Sequence, residues 1–176
     1  MARLPIVIAP DAVLKAQAKP VAVVDDEIRT LIDNMLETMY EAPGIGLAAN
    51  QVGVLKRVLV LDVARDGSPR EPMAFINPEV LWTSEALSTY NEGCLSLPEQ
   101  YADVTRPAEV DVRYLDRDGA KREIRATGLL ATCLQHEIDH LNGVLFVDYL
   151  SALKRNMILR KLAKQQKLAA EAREAS

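Results

Sequence analysis

The pattern in this chain with the most obvious chemical potential is His136-Glu137-Ile138-Asp139-His140. Histidines four apart on a helix project from one face, so both imidazoles can reach a single metal ion. Glu137, between them, is placed to handle protons on a water at that ion. A third ligand is then needed, and the two common protease solutions are missing. Phe146 stands where a third histidine would follow Gly143, and residues 141–170 contain no glutamate. The donors left are the two cysteines. Cys133 would share the helix, but its seven-residue separation from His140 is about 10.5 Å of axial rise, too far for it to join both rings at bonds of roughly 2.0–2.3 Å. Cys94, in Glu92-Gly93-Cys94-Leu95-Ser96-Leu97-Pro98, is therefore favoured as the third ligand, with Cys133 a small apolar neighbour of the site.

Positioning these groups requires a helix beneath the histidines. Leu130, Leu134, Ile138 and Leu141 recur at helical spacing from about 128, and Asn142-Gly143 closes the run. Upstream, Ile28, Leu31, Ile32, Met35, Leu36 and Met39 mark a helix over 25–41, opened by Asp25-Asp26 and stopped at Pro43-Gly44. Residues 44–53, GIGLAANQVG, are small and glycine-punctuated and read as a loop that permits close backbone approach. Strands are predicted at about 55–63, 73–76, 79–83 and 86–90, with Pro98 expected to end any ladder. Val110, Val112 and Tyr114 alternate with charged residues before the tight-turn pair Asp118-Gly119, which predicts a hairpin over 109–126. Leu150, Leu153, Met157, Ile158 and Leu162 fall on one side of a last helix at about 150–170. Strands grouped apart from helices give an α+β fold. The expectation is small antiparallel or mixed sheets packed around a central metal-binding helix, with a C-terminal helix, in one domain over 1–176.

Composition narrows the class. The chain has 176 residues, 49% hydrophobic and 26% charged, the balance of a globular domain with a sizeable core rather than a disordered segment. No apolar run is long enough to span a bilayer, and the N-terminus lacks a secretory stretch, so a soluble, cytoplasmic protein is expected. Two cysteines do not make a disulfide framework. The net charge of -4 conceals an asymmetry: residues 151–176 carry seven Lys/Arg against two Glu, a tail of +5 on a body of -9. Such a tail suits contact with a polyanion rather than specific DNA binding.

Three segments, GIGLAANQVG, EGCLSLP and QHEIDHLNG, in this order and at these separations, resemble the signature motifs of peptide deformylase, and the flanks resemble its bacterial type I branch across essentially the whole chain. The resemblance implies a metal-dependent hydrolase that removes the formyl group from the N-terminal formylmethionine of nascent polypeptides. It implies a metal held by Cys94, His136 and His140 with water in the fourth position, Glu137 as acid/base, and Gln51 with the backbone N–H of Leu95 as oxyanion donors. Fe2+ is the expected ion, with Zn2+, Ni2+ or Co2+ as substitutes. It further implies that the peptide lies extended against Ile45, Gly46 and Gly93, and that methionine enters a pocket formed by Ile45, Leu129 and Cys133. Tyr90 and Tyr101 flank the groove, Tyr101 where some relatives carry arginine, and Asn50 replaces a threonine. The basic C-terminal helix is expected to contact the ribosome near the exit tunnel, so removing 155–176 should spare hydrolysis and reduce co-sedimentation.

Two other readings are open to the residues themselves. A metalloprotease cutting internal bonds lacks its usual third ligands here, and a closed structural zinc site would need Cys133 as a fourth, against the axial distance.

Overall fold

A computed structural model describes residues 2–175; Met1 and Ser176, the ends of the expected 1–176 unit, lie outside the described residues. The first helix, α1 (Asp26–Glu41), begins where expected, because the Asp25 side chain accepts a hydrogen bond from the Ile28 N–H at 3.1 Å and satisfies a first-turn donor. Its buried stripe of Ile28, Ile32, Met35 and Met39 packs on one face of a sheet.

That sheet has five strands in the order β1-β2-β3-β6-β7, all neighbours antiparallel. They are β1 (Gly46–Ala48), β2 (Val58–Leu61), β3 (Met73–Thr83), β6 (Glu109–Leu115) and β7 (Lys121–Thr127). The continuous apolar run of β2 follows from its place between two layers. Val58 and Val60 meet α1, whereas Leu59 and Leu61 face the opposite core with Phe75, Val110 and Val112. Leu134, Ile138 and Leu141 of α2 (Gly128–Leu141) fill that opposite core, so the histidine helix lies against the sheet.

The stretch read as a loop at 44–53 contains β1 and a 3-10 turn at Ala49–Val52. Leu47, Ala48 and Ala49 are fully buried, and pairing with Leu59–Leu61 outweighs the weak strand propensity of Gly and Ala. The separate strands expected at 73–76 and 79–83 are one strand, bent where the register shifts between Ile76 and Glu79. Asn77 takes the left-handed bend at φ 51, held by paired hydrogen bonds of 2.8 Å between its side-chain amide and the Val21 backbone.

A second sheet pairs β4 (Leu87–Cys94) with β5 (Leu97–Pro107), so the strand expected at 86–90 runs on to Cys94. Nothing in the sequence predicted β5. Its buried positions mix Leu97 and Val104 with Gln100 and Arg106, so no apolar alternation marks it, and Thr89–Thr105 and Asn91–Asp103 side-chain pairs bind it across the ladder. Pro98 does not end the ladder; the pairing shifts register over Pro98 to Gln100 and resumes at Gly93–Tyr101. Leu95 and Ser96 form the two-residue turn of this hairpin.

The last helix, α3 (Ala152–Ala175), is longer than the predicted 150–170. Leu162 is fully buried with Phe146, Val147 and Leu97, and Ile158 and Leu159 pack beside it. Leu153 and Met157, expected on the buried side, are 72% and 60% exposed because the helix touches the body over little more than one turn. No helix among the described residues is long and apolar enough to cross a membrane.

Candidate metal centre

The third and fourth turns of α2 bring the two Nε2 atoms of His136 and His140 to 3.2 Å, and Cys94 Sγ at the end of β4 lies 3.3 Å from His140 Nε2. All three donor atoms fall within 4.8 Å of one another. Tetrahedral ligands at ordinary Zn–N and Zn–S bond lengths stand about 3.3–3.8 Å apart, so two imidazole nitrogens and a thiolate directed at one point fit a single divalent ion. Cys133 is elsewhere, its buried Sγ 3.8 Å from the Ile45 carbonyl; burial, then the neighbouring Glu137 and Glu92, push that thiol up and leave it inert.

The orientation of His136 is set by residues that the sequence reading gave no role. Its Nδ1 lies 3.0 Å from Glu92 Oε1, so the ring presents Nε2 to the centre. Glu92 in turn receives both ends of the Arg106 guanidinium fork, at 2.7 and 2.9 Å, and the third arm reaches Asp139 at 2.8 Å. Tyr149 donates to the same Asp139 oxygen at 2.7 Å. Burial drives the Glu92 carboxyl up, but hydrogen bonds from His136 and Arg106 outweigh it and hold the group below its ordinary value. Arg106 and Glu92 are 4% and 6% exposed, so this is a buried pair with each charge compensated.

Glu137 lies on the pocket side of the histidines, 4% exposed, with Oε1 buried and free of any hydrogen-bond partner. Burial pushes its carboxyl up to about 7, against the opposing pull of His136. A carboxyl poised there can take and return a proton at neutral pH. Gly46 makes room for it: a Cβ at that position would stand 2.5 Å from Glu137 Oε2 and 2.9 Å from Cys133 Sγ. A Gly46→Ala variant should therefore fold, since the backbone there is ordinary β structure, yet displace the carboxylate. The expected result is a fall in kcat of about a hundredfold with an unchanged melting profile; an unaffected kcat would show that Glu137 is not confined by this wall.

An apolar cavity of about 120 Å³ opens beside these groups, lined by Ile45, Tyr90, Gly93, Leu129, Cys133 and Glu137 among others. Four of the five residues predicted to hold substrate thus line one pocket, while Gly46 lies behind Glu137. Across Ile45 and Gly93 a wider groove continues past Leu95 to Tyr101. The edge of β1 away from β2 is unpaired in the sheet, as required for an added strand. Gln51 reaches in from the 3-10 turn, with Nε2 at 3.4 Å from Cys94 Sγ and 3.1 Å from Ser96 Oγ.

Comparison with known proteins gives this geometry a family. The model of the family described as Polypeptide deformylase matches residues 3–156. The chain belongs to that family. A peptide deformylase of Methylocella silvestris is 62% identical over 170 residues, covering 95% of this chain and 87% of its own. One from Rhizobium meliloti is 58% identical over 163 residues, covering 93% and 94%. The crystal structure of peptide deformylase from Ehrlichia chaffeensis matches with a TM-score of 0.91 at 41% identity, over 96% of this chain and 99% of that one. The enzyme from the same organism in complex with actinonin matches at 0.89 and 44% identity, over 94% and 98%.

As a deformylase, the chain is a hydrolase that removes the N-formyl group from nascent polypeptides. Within this deformylase, sequence reasoning missed Arg106 altogether and quoted Asp139 only inside the His136–His140 motif and Glu92 and Ser96 only as flanks of Cys94. A glutamate two residues before a candidate cysteine ligand is a usable signal for a group that supports a ligand histidine, but its ion pair with Arg106, which stands opposite Ser88 and not Glu92 in the ladder, has no sequence mark.

Proposed function

We propose that Cys94, His136 and His140 hold one divalent ion, Fe2+ by family resemblance, and that Glu137, Gln51 and the backbone N–H of Leu95 carry out formyl hydrolysis around it. Bound there, the ion supplies Lewis acidity, polarising the formyl carbonyl and lowering the pKa of water. Glu137 takes a proton from the attacking water as its oxygen bonds to the formyl carbon. It then delivers that proton to the amide nitrogen; the C–N bond breaks, and formate and a free amino terminus leave. Gln51 Nε2 and the Leu95 N–H donate to the oxygen that gains charge on the tetrahedral carbon. The backbone of Ile45, Gly46 and Gly93 holds the peptide extended, and the pocket of Ile45, Leu129 and Cys133 takes the methionine side chain. The observation that carries this reading is the convergence of three donor atoms beside a buried carboxyl at the wall of an apolar pocket.

Formate release by anaerobically purified protein, followed on formyl-Met-Ala-Ser and acetyl-Met-Ala-Ser with metal analysis alongside, tests it. The expected result is about one iron per chain and turnover of the formyl peptide only. Comparable turnover of the acetyl peptide, or full activity without metal, overturns it.

The cytoplasmic ribosome is the proposed place of work, reached through α3. Lys154, Arg160, Lys161, Lys164 and Lys167 are exposed along that helix. A cut at 155 is the wrong test of that contact, since it would remove buried Leu162 from the core. Reversing Arg160, Lys161, Lys164 and Lys167 to Glu leaves the packing in place. Ribosome co-sedimentation at low salt should then fall at least tenfold while hydrolysis of short formyl peptides is kept; retained co-sedimentation removes α3 as the contact.

A further inference from the structure

We infer that Ser96 is a positioning residue for the deformylase reaction: it locks the side-chain amide of Gln51 so that one N–H always faces the reacting centre. The inference rests on the oxyanion role proposed for Gln51. Two hydrogen bonds on either end of that amide carry it. The Ala48 N–H donates to Gln51 Oε1 at 2.9 Å, which fixes Nε2 as the end turned toward the metal centre. Nε2 has two protons. One is given to Ser96 Oγ at 3.1 Å, and the other is directed toward Cys94 Sγ at 3.4 Å. The second proton is the one a charged oxygen at the reacting carbon would compete for. A donor is worth most to a transition state when it needs no reorientation as charge develops. Without Ser96, the amide would keep its Oε1 anchor and the long contact to Cys94 Sγ but lose the one bond that occupies its other proton, and Nε2 could swing away from the centre.

Ser96 itself is held firmly. It is fully buried and follows Leu95 in the two-residue turn of the β4–β5 hairpin, and its carbonyl accepts from the Ala9 N–H at 2.8 Å. It therefore cannot reach substrate. Three consecutive residues thus contribute a metal donor at Cys94, a proposed backbone donor at Leu95 and the anchor of the side-chain donor at Ser96. One turn places both oxyanion donors relative to the ion, so their spacing does not depend on the wider groove.

The test is a double-mutant cycle on the metal-loaded enzyme, joined to an observation on the unmutated protein. Gln51→Ala should lower kcat about a hundredfold. Ser96→Ala should lower kcat about tenfold with KM and metal content unchanged, and should add no further loss when combined with Gln51→Ala. A hydroxyl that merely fills the core would give an additive pair. Should Ser96→Ala leave kcat intact while Gln51→Ala does not, the inference about Ser96 falls and the reading of Gln51 stands. If Gln51→Ala is itself without effect, both fall. In the zinc-loaded wild-type protein, whose diamagnetic ion permits NMR, the Gln51 Nε2 proton facing Ser96 should be protected from exchange with solvent by at least tenfold relative to a free glutamine amide. Exchange as fast as that of a free glutamine amide overturns the lock without recourse to any variant.

Discussion

Glu137→Gln should abolish turnover while leaving the metal in place. The variant keeps the size and shape of the side chain, and it removes a carboxyl that has no hydrogen-bond partner at Oε1 and sits 4% exposed. Burial already disfavours the charged form, so the neutral amide costs the fold nothing of consequence and is expected to leave the melting temperature at or above its original value. The loss falls on proton transfer, which contributes 10²–10⁴-fold in general acid–base catalysis, so kcat should drop by about three orders of magnitude. Metal analysis and steady-state kinetics on the same preparation separate the cases. Retained metal with lost turnover is the expected pair. Retained turnover would reduce the centre to a structural site.

Arg106→Met should produce the largest loss of stability of any substitution near the centre. Its guanidinium compensates Glu92 and Asp139 at once, in a place where Arg106 is 4% exposed. Removing one member of a buried pair typically costs 3–5 kcal/mol because the remaining charge has no partner. For a chain of this size each kcal/mol shifts the midpoint by about 2–4 °C, so thermal unfolding should begin roughly 10 °C lower. The same substitution frees Glu92, and with it the His136 ring, so metal affinity should fall by about 10–100-fold. Arg106→Lys restores one charge but not the three-armed contact and should recover only part of either loss. A midpoint within a degree or two of wild type would mean that the network is ornamental to the fold.

The parts of the molecule that were legible in the sequence are those where local pattern and tertiary role agree. The histidine helix shows both its apolar spacing and its ligand spacing, α1 shows its Asp25 cap, and the 109–126 hairpin shows alternation around Asp118-Gly119. Strand β5 was illegible because its partner faces largely solvent and its residues carry no apolar alternation. The first motif was misread as a loop for a different reason. Its small, glycine-punctuated residues suggest a loop open to close backbone approach, yet Leu47, Ala48 and Ala49 are fully buried and the segment pairs with β2; Gly53 takes a positive φ of 80, whereas Gly44 and Gly46, like Gly93 of the second motif, do not. What they supply is clearance: a Cβ would strike Leu95 from Gly44, Glu137 from Gly46 and Tyr101 from Gly93. The three side chains that converge, Cys94, His136 and His140, could be picked out by eliminating alternatives and by family resemblance, whereas the Glu92–Arg106–Asp139 network could not, since Arg106 stands opposite Ser88 rather than Glu92 in the ladder and Asp139 comes from a separate helix.

The three metal donors come from separate pieces of the chain, Cys94 from the hairpin and the two histidines from the helix against the main sheet. An ion gripped by both acts as a clasp between layers, and ligand binding to the native form alone raises its stability by mass action. A cell starved of that metal would then lose more than the catalyst's electrophile. The unclasped chain would open more often and be degraded faster, so the supply of metal would set how much of the enzyme the cell holds as well as how fast each copy works.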